Sequence, residues 1–164
     1  MKYSKIISHD VCNGTGWRVT LYVSGCNRFC PGCFNTCIHD PNIGTDFTEK
    51  TKQLIFNELD KPEIDGLTLL GGEPLSILSD NRKTVIEFCK EVHTKYPNKN
   101  IWLYSGYTID EIKNDPSMKD IINWVDVIVD GPFIQELKDT TLEFRGSSNQ
   151  NIIKTADLKC TPQN

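Results

Sequence analysis

The sequence predicts an α/β fold, a small incomplete (β/α) barrel with a mainly parallel sheet, and three observations carry that expectation. Short apolar strand patterns alternate with helical patterns along the chain. Two of the strand patterns, Leu67–Leu70 and Val125–Val129, are nearly unbroken apolar runs, as required of parallel strands covered on both faces. Each polar or glycine-bearing motif directly follows a strand, the position where α/β folds collect their chemistry. With 164 residues, the chain falls short of the roughly 250 of a closed eight-fold barrel.

The elements follow in order. Trp17 to Ser24 is rich in β-branched and aromatic residues and reads as a strand ending where a group of cysteines begins. Asp46 or Thr48 can cap a helix running to about Leu59, with Leu54, Ile55 and Leu59 on its inner side. The strand Leu67–Leu70 stops at Gly71. From about Ser79 to Tyr96, Val85, Cys89, Val92 and Tyr96 recur at helical spacing and share one face, which makes Cys89 a core residue. Ile101–Tyr104 is a third strand, and Thr108 with Glu111 forms a capping-box pattern opening a helix that breaks or bends near Pro116. Val125–Val129 and Asn151–Lys154 complete the strands. Residues 1–155 form one domain, and residues 156–164 are a tail without a pattern.

Composition narrows the function. Apolar residues at 38% and charged residues at 24% fit a folded chain. Eighteen basic and twenty-two acidic side chains give a net charge of -4 without a long run of either sign, which argues against direct nucleic-acid binding. No apolar stretch has the length of a signal peptide or a membrane span, so a cytoplasmic protein without a membrane partner is expected. The cysteines number seven, an odd count, and four of them stand at positions 26, 30, 33 and 37. That clustering points to metal instead of disulfides.

Cys26, Cys30 and Cys33 have the spacing C-x3-C-x2-C, close enough for three thiolates to share one centre, and thiolates suit iron–sulfur clusters and zinc. Three ligands on a cubane leave one iron open to a substrate or cofactor. Cys37 could instead close a four-cysteine centre, with His39 as another candidate ligand. Such a closed centre would serve as an electron carrier or a zinc-stapled binding module. A second motif, Gly71-Gly72-Glu73-Pro74, follows a strand. Its glycines let backbone approach a ligand, and the Glu73 carboxylate can receive an ammonium group.

Together, the cysteine spacing and the Gly-Gly-Glu-Pro motif resemble the radical S-adenosylmethionine superfamily. Further segments extend the likeness over most of residues 1 to 153, to the activating enzymes of anaerobic (class III) ribonucleoside-triphosphate reductases. These are Asn13-Gly14-Thr15-Gly16, Val23-Ser24-Gly25-Cys26, Cys30 to Asn35, Trp102 to Tyr107, Val129 to Phe133 and Arg145 to Gln150. The resemblance implies a radical-SAM type of barrel and a [4Fe–4S] cluster on Cys26, Cys30 and Cys33. It implies S-adenosylmethionine at the open iron and a flavodoxin-like electron donor. The partner it implies is the reductase's large subunit, on which a glycyl radical is made; activation of another glycyl-radical enzyme is the alternative.

For S-adenosylmethionine, the resemblance assigns contacts to Gly32, Cys33, Phe34, Gly71, Gly72, Glu73, Pro74, Ser105 and Asp130. Many superfamily members carry an aromatic residue just before the third cysteine; here that position is Gly32, whose contact is then backbone only, while Phe34 stands ready to pack on the adenine or to join the core. Asp130 either holds the methionyl group or a cation, or only turns the chain before Gly131. Arg145 to Gln150 either meets the reductase or closes the pocket. No catalytic role falls to His9, His39 or His93.

Overall fold

The computed structural model describes residues 1–159. Its seven strands are β1 (Lys2–Asp10), β2 (Arg18–Val23), β3 (Thr45–Asp46), β4 (Gly66–Gly71), β5 (Asn100–Tyr104), β6 (Val127–Asp130) and β7 (Asn151–Lys154). They form one sheet in the order β3-β1-β2-β4-β5-β6-β7. The four central strands β2, β4, β5 and β6 run parallel, whereas β1, β3 and β7 join antiparallel at the two sides. The α/β class and the parallel centre agree with the sequence. The sheet is open, and its edges are antiparallel.

Alternation along the central strands divides the sheet into two unlike faces. Val19, Leu21, Val23, Leu67, Leu69, Ile101, Leu103 and Ile128 pack with helical residues in the main core. The helices covering that face are α1 (Glu49–Leu59), α2 (Asn81–Lys95) and α3 (Ile109–Asn114), and a short α4 (Thr155–Lys159) follows β7. On the other face Trp102, Val127 and Val129, with Tyr104 and Phe144, make a smaller cluster. Among the described residues no helix is long and apolar enough to cross a membrane.

Local chemistry explains most helix boundaries. Thr48, not Asp46, caps α1, and its side chain accepts from the Thr51 N–H. Ile55, Phe56 and Leu59 define the buried side of α1, while Leu54 is exposed, contrary to the expectation above. Successive helical residues turn by about 100°, so Leu54 lies well away from the direction shared by Ile55 and Phe56. Helix α2 starts at Asn81 because Ser79 and Asp80 adopt positive φ angles of 53° and 55°. Cys89 is fully buried in the core, as its spacing implied.

Thr108 and Glu111 form a complete capping box on α3. Thr108→Ala is expected to lower stability by about 1 kcal/mol, measured by urea denaturation. Strand β6 begins two residues later than expected, since Asp126 is spent on joining strand ends: its Oδ2 accepts from the Ile101 N–H at 2.7 Å. Residues 156–159, placed with the unpatterned tail, belong instead with Thr155 to α4, anchored by the Thr155 hydroxyl donating to the Val125 carbonyl at 2.6 Å. Cys160 lies outside the described residues.

The amino ends of the central strands are joined by one side chain. Arg18, fully buried at the head of β2, donates to Thr68 Oγ1 (2.6 Å), the Leu67 carbonyl (2.7 Å), the Thr15 carbonyl (2.9 Å) and Asn100 Oδ1 (2.8 Å). Its guanidinium lies 5.5 Å from the centre of the Trp102 ring. Burial pushes the guanidinium pKa down to about 10, a measure of how far it is removed from water.

Candidate functional site

At the carboxyl ends of the parallel strands, Cys26, Cys30 and Cys33 line a single cavity of about 210 Å³ together with Gly71, Gly72, Ser105 and Gly106. Three motifs separated by tens of residues therefore meet at one place. Leu70 and Tyr104 from the less apolar sheet face, Asn13, and the loop residues Phe133, Gly146 and Gln150 complete much of the lining.

The cysteine loop is shaped by its own backbone. The Gly25 and Cys26 N–H groups donate to the carbonyls of Ile38 (2.8 Å) and His39 (3.1 Å), so the loop closes onto its own far end. Within it the Cys33 N–H returns to the Cys30 carbonyl at 3.1 Å, and Gly32 has a φ of 75°. Proline followed by a positive-φ glycine at the centre of such a turn is the type II pattern. Cys26 is buried, which raises its thiol pKa, while the N–H groups of Arg28 and Phe29 pull it the other way. The Cys33 sulfur accepts from the Asn35 N–H at 3.4 Å.

Cys37 is exposed on a 3-10 turn at Thr36–Ile38 and is not part of the cavity lining, whereas His39 is. Among the described residues no three His, Cys, Asp or Glu side chains come close enough together to hold one metal ion. A cubane takes each thiolate on a different iron, and three thiols spread around one cavity fit that demand.

The Gly-Gly-Glu-Pro segment leans directly on the start of the cysteine loop. The Gly72 and Glu73 N–H groups donate to the carbonyls of Val23 and Gly25, each at 2.8 Å. A Cβ on Gly71, whose φ is 117°, would stand 2.7 Å from the Val23 carbonyl oxygen, and one on Gly72 would stand 2.9 Å from the Gly25 carbonyl carbon. Only glycine allows this approach of two backbones.

Glu73 is 1% exposed. Its carboxylate accepts from the Leu75 N–H (2.9 Å), the Ser105 hydroxyl (2.9 Å) and the Gly106 N–H (2.7 Å). Burial raises its pKa, and these three donors together with Arg28 oppose the rise. The side chain thus binds one loop to the next, and Glu73 and the buried Pro74 stand outside the cavity lining, while Ser105 is part of it. Asp130 behaves similarly: it is buried, and its carboxylate accepts from the Ile109 N–H (2.7 Å) and from the N–H (3.1 Å) and side chain (3.0 Å) of Asn151. It too lies outside the lining, as does Gly32. Phe34 stands at the cavity with 90% of its surface exposed, so it is no core residue.

Arg145 to Gln150 folds over the segment after β6. Gln150 donates to the Gly131 carbonyl (3.0 Å) and accepts from the Gly146 N–H (2.8 Å), and Asn149 donates to the Pro132 carbonyl (2.8 Å). Gly146 and Gln150 of this segment line the cavity.

The sequence reading gave Tyr104 and Asn81 no role at the site. Tyr104 lines the cavity with a buried hydroxyl that has no partner among the described residues. Its position as the last residue of a strand, on the face away from the helices, was the available signal. Asn81, fully buried, donates to the Ser24 carbonyl at 2.7 Å and the Glu73 carbonyl at 3.4 Å, and no local pattern marks it. The thiol set and an unmatched buried hydroxyl make this cavity fit a cluster with a polar guest beside it.

Residues 12–153 match the family model of the 4Fe-4S single cluster domain. The chain is similar to proteins named anaerobic ribonucleoside-triphosphate reductase-activating protein from several sources. It is 41% identical to that of Haemophilus influenzae over 154 residues, covering 93% of this chain and 97% of the relative. It is 38% identical to that of Escherichia coli K12, covering 92% and 96%, and 37% identical to that of Enterobacteria phage T4, covering 96% of each.

Proposed function

Because this chain belongs to the family of anaerobic ribonucleoside-triphosphate reductase-activating proteins, with 37% to 41% identity over more than nine-tenths of its length, we propose that it is a radical S-adenosylmethionine activase of such a reductase. The observation that carries this reading is the one cavity shared by Cys26, Cys30, Cys33, the glycines of Gly-Gly-Glu-Pro and Ser105. The three cysteines would hold a [4Fe–4S] cluster, and the cavity beside them would take S-adenosylmethionine. Bound there, this pair supplies one-electron cleavage of the sulfonium, using an electron from a flavodoxin-like donor, and a carbon-centred radical able to take a Cα hydrogen from a glycine of the reductase's large subunit.

The residues of the chain bind, orient and enclose. Gly71 and Gly72 bring backbone polar groups to the cavity surface, and Ser105 adds a hydroxyl held by Glu73. Phe34 is free to cover an adenine face, with Cys33 and the backbone of Gly32 beside it. Glu73, Pro74 and Asp130 serve this site from behind, by fixing the loops that form it. The wall from Phe133, Gly146 and Gln150 keeps water and competing hydrogen donors away. The exposed position of Cys37, outside the lining, supports three ligands over four. The cytoplasm is the compartment where such a protein would meet its reductase and electron donor.

The test is to incubate anaerobically reduced protein with S-adenosylmethionine and the reductase, then record electron paramagnetic resonance spectra. A glycyl radical on the reductase is the expected result. A radical formed on a pyruvate formate-lyase but not on the reductase would sink the assignment.

A further inference from the structure

Tyr107 has no part in the site as described, yet it stands between the two loops that form it. It is buried and directly follows Ser105 and Gly106. Its hydroxyl accepts a hydrogen bond from the Asn27 side chain at 2.7 Å, and the Arg28 guanidinium lies over its ring at 4.5 Å. Asn27 and Arg28 are the two residues that follow Cys26 on the way to Cys30. Arg28 is further tied to Glu111, just beyond Tyr107 in α3, at 3.2 Å. Meanwhile Ser105 and Gly106 hold the Glu73 carboxylate at 2.9 and 2.7 Å. Three consecutive residues thus grip the Gly-Gly-Glu-Pro loop at one end and the cysteine loop at the other.

We propose that Tyr107 is a positioning residue: through Asn27 and Arg28 it sets where the cysteine loop beyond Cys26 stands relative to the Gly-Gly-Glu-Pro loop, and with it the affinity for S-adenosylmethionine. The proposal rests on the functional reading above. A ligand held from both loops at once is sensitive to their separation, because each contact is lost steeply as the gap widens. The hydroxyl and the ring act separately: the hydroxyl holds Asn27 by a directional bond, and the ring supports Arg28 by its face.

The test uses anaerobically purified holoprotein carrying Tyr107→Phe, Asn27→Ala or both, with iron content measured first. S-adenosylmethionine affinity is then read from the change it causes in the paramagnetic resonance spectrum of the reduced cluster. Each single variant is expected to keep wild-type iron content and to bind S-adenosylmethionine about fivefold more weakly, the effect of one hydrogen bond worth about 1 kcal/mol. The double variant is expected to bind no more weakly than either single one, because both remove the same bond. Wild-type affinity in both single variants, or losses that add in the double variant, would overturn the proposal. A wild-type spectrum that ignores S-adenosylmethionine would overturn both the proposal and the reading beneath it, and the wild-type control tells that failure apart.

Discussion

Cys30→Ala is expected to lose the iron of anaerobically prepared protein and, with it, all cleavage of S-adenosylmethionine, while Cys37→Ala keeps both. Cys30 lines the cavity with Cys26 and Cys33, and the turn that brings Cys33 back to the Cys30 carbonyl fixes their relation. In the proposed cluster, removing one of three thiolates would leave an iron without its protein ligand. Cys37 lies exposed on the following 3-10 turn and has no place in the lining. The two variants are compared by iron and sulfide content and by chromatographic assay of 5′-deoxyadenosine. Iron loss in Cys37→Ala equal to that in Cys30→Ala would point to a closed four-cysteine centre.

The second large effect lies at the opposite ends of the strands. Arg18→Leu is expected to destabilise the protein by about 3 to 5 kcal/mol, since each buried acceptor left unpaired costs about 1 to 3 kcal/mol. The carbonyls of Thr15 and Leu67 and both oxygens of Asn100 accept from this one guanidinium. Part of the loss is offset because the guanidinium is itself costly to bury, as its lowered pKa of about 10 indicates. Urea denaturation measures the change, and a difference under about 1 kcal/mol would show that the network contributes little net stability.

The contrast between these two regions shows what the sequence can disclose. The cysteine loop, the Gly-Gly-Glu-Pro segment and the Thr108 cap are written in adjacent residues, each with a local physical reason for its type, and the central strands advertise themselves by burial on both faces. Strand β1 does not. It is only partly buried, its register against β2 is broken between Tyr3 and Lys5 and between Ile7 and Asp10, and Ser4 and Lys5 interrupt any apolar run. Glu73 and Asp130 could be located at strand ends from the sequence. Where their carboxylates turn depends on Gly106 and Asn151, 33 and 21 residues away, and no window along the chain contains that information.

The fastening of the loop wall has a consequence for how this protein can vary. The amides of Asn149 and Gln150 that pin it to Pro132 and Gly131 carry no charge, so neither acidity nor ionic strength loosens them. Within the excursion the Ser148 N–H donates to the Leu137 carbonyl (2.9 Å), the Asp139 N–H donates to the Gly146 carbonyl (3.3 Å) and Phe144 packs on Trp102, which leaves the tip from Thr140 to Glu143 outside the clasp. Lengthening or exchanging that tip would remodel the outer surface while the chamber keeps its shape.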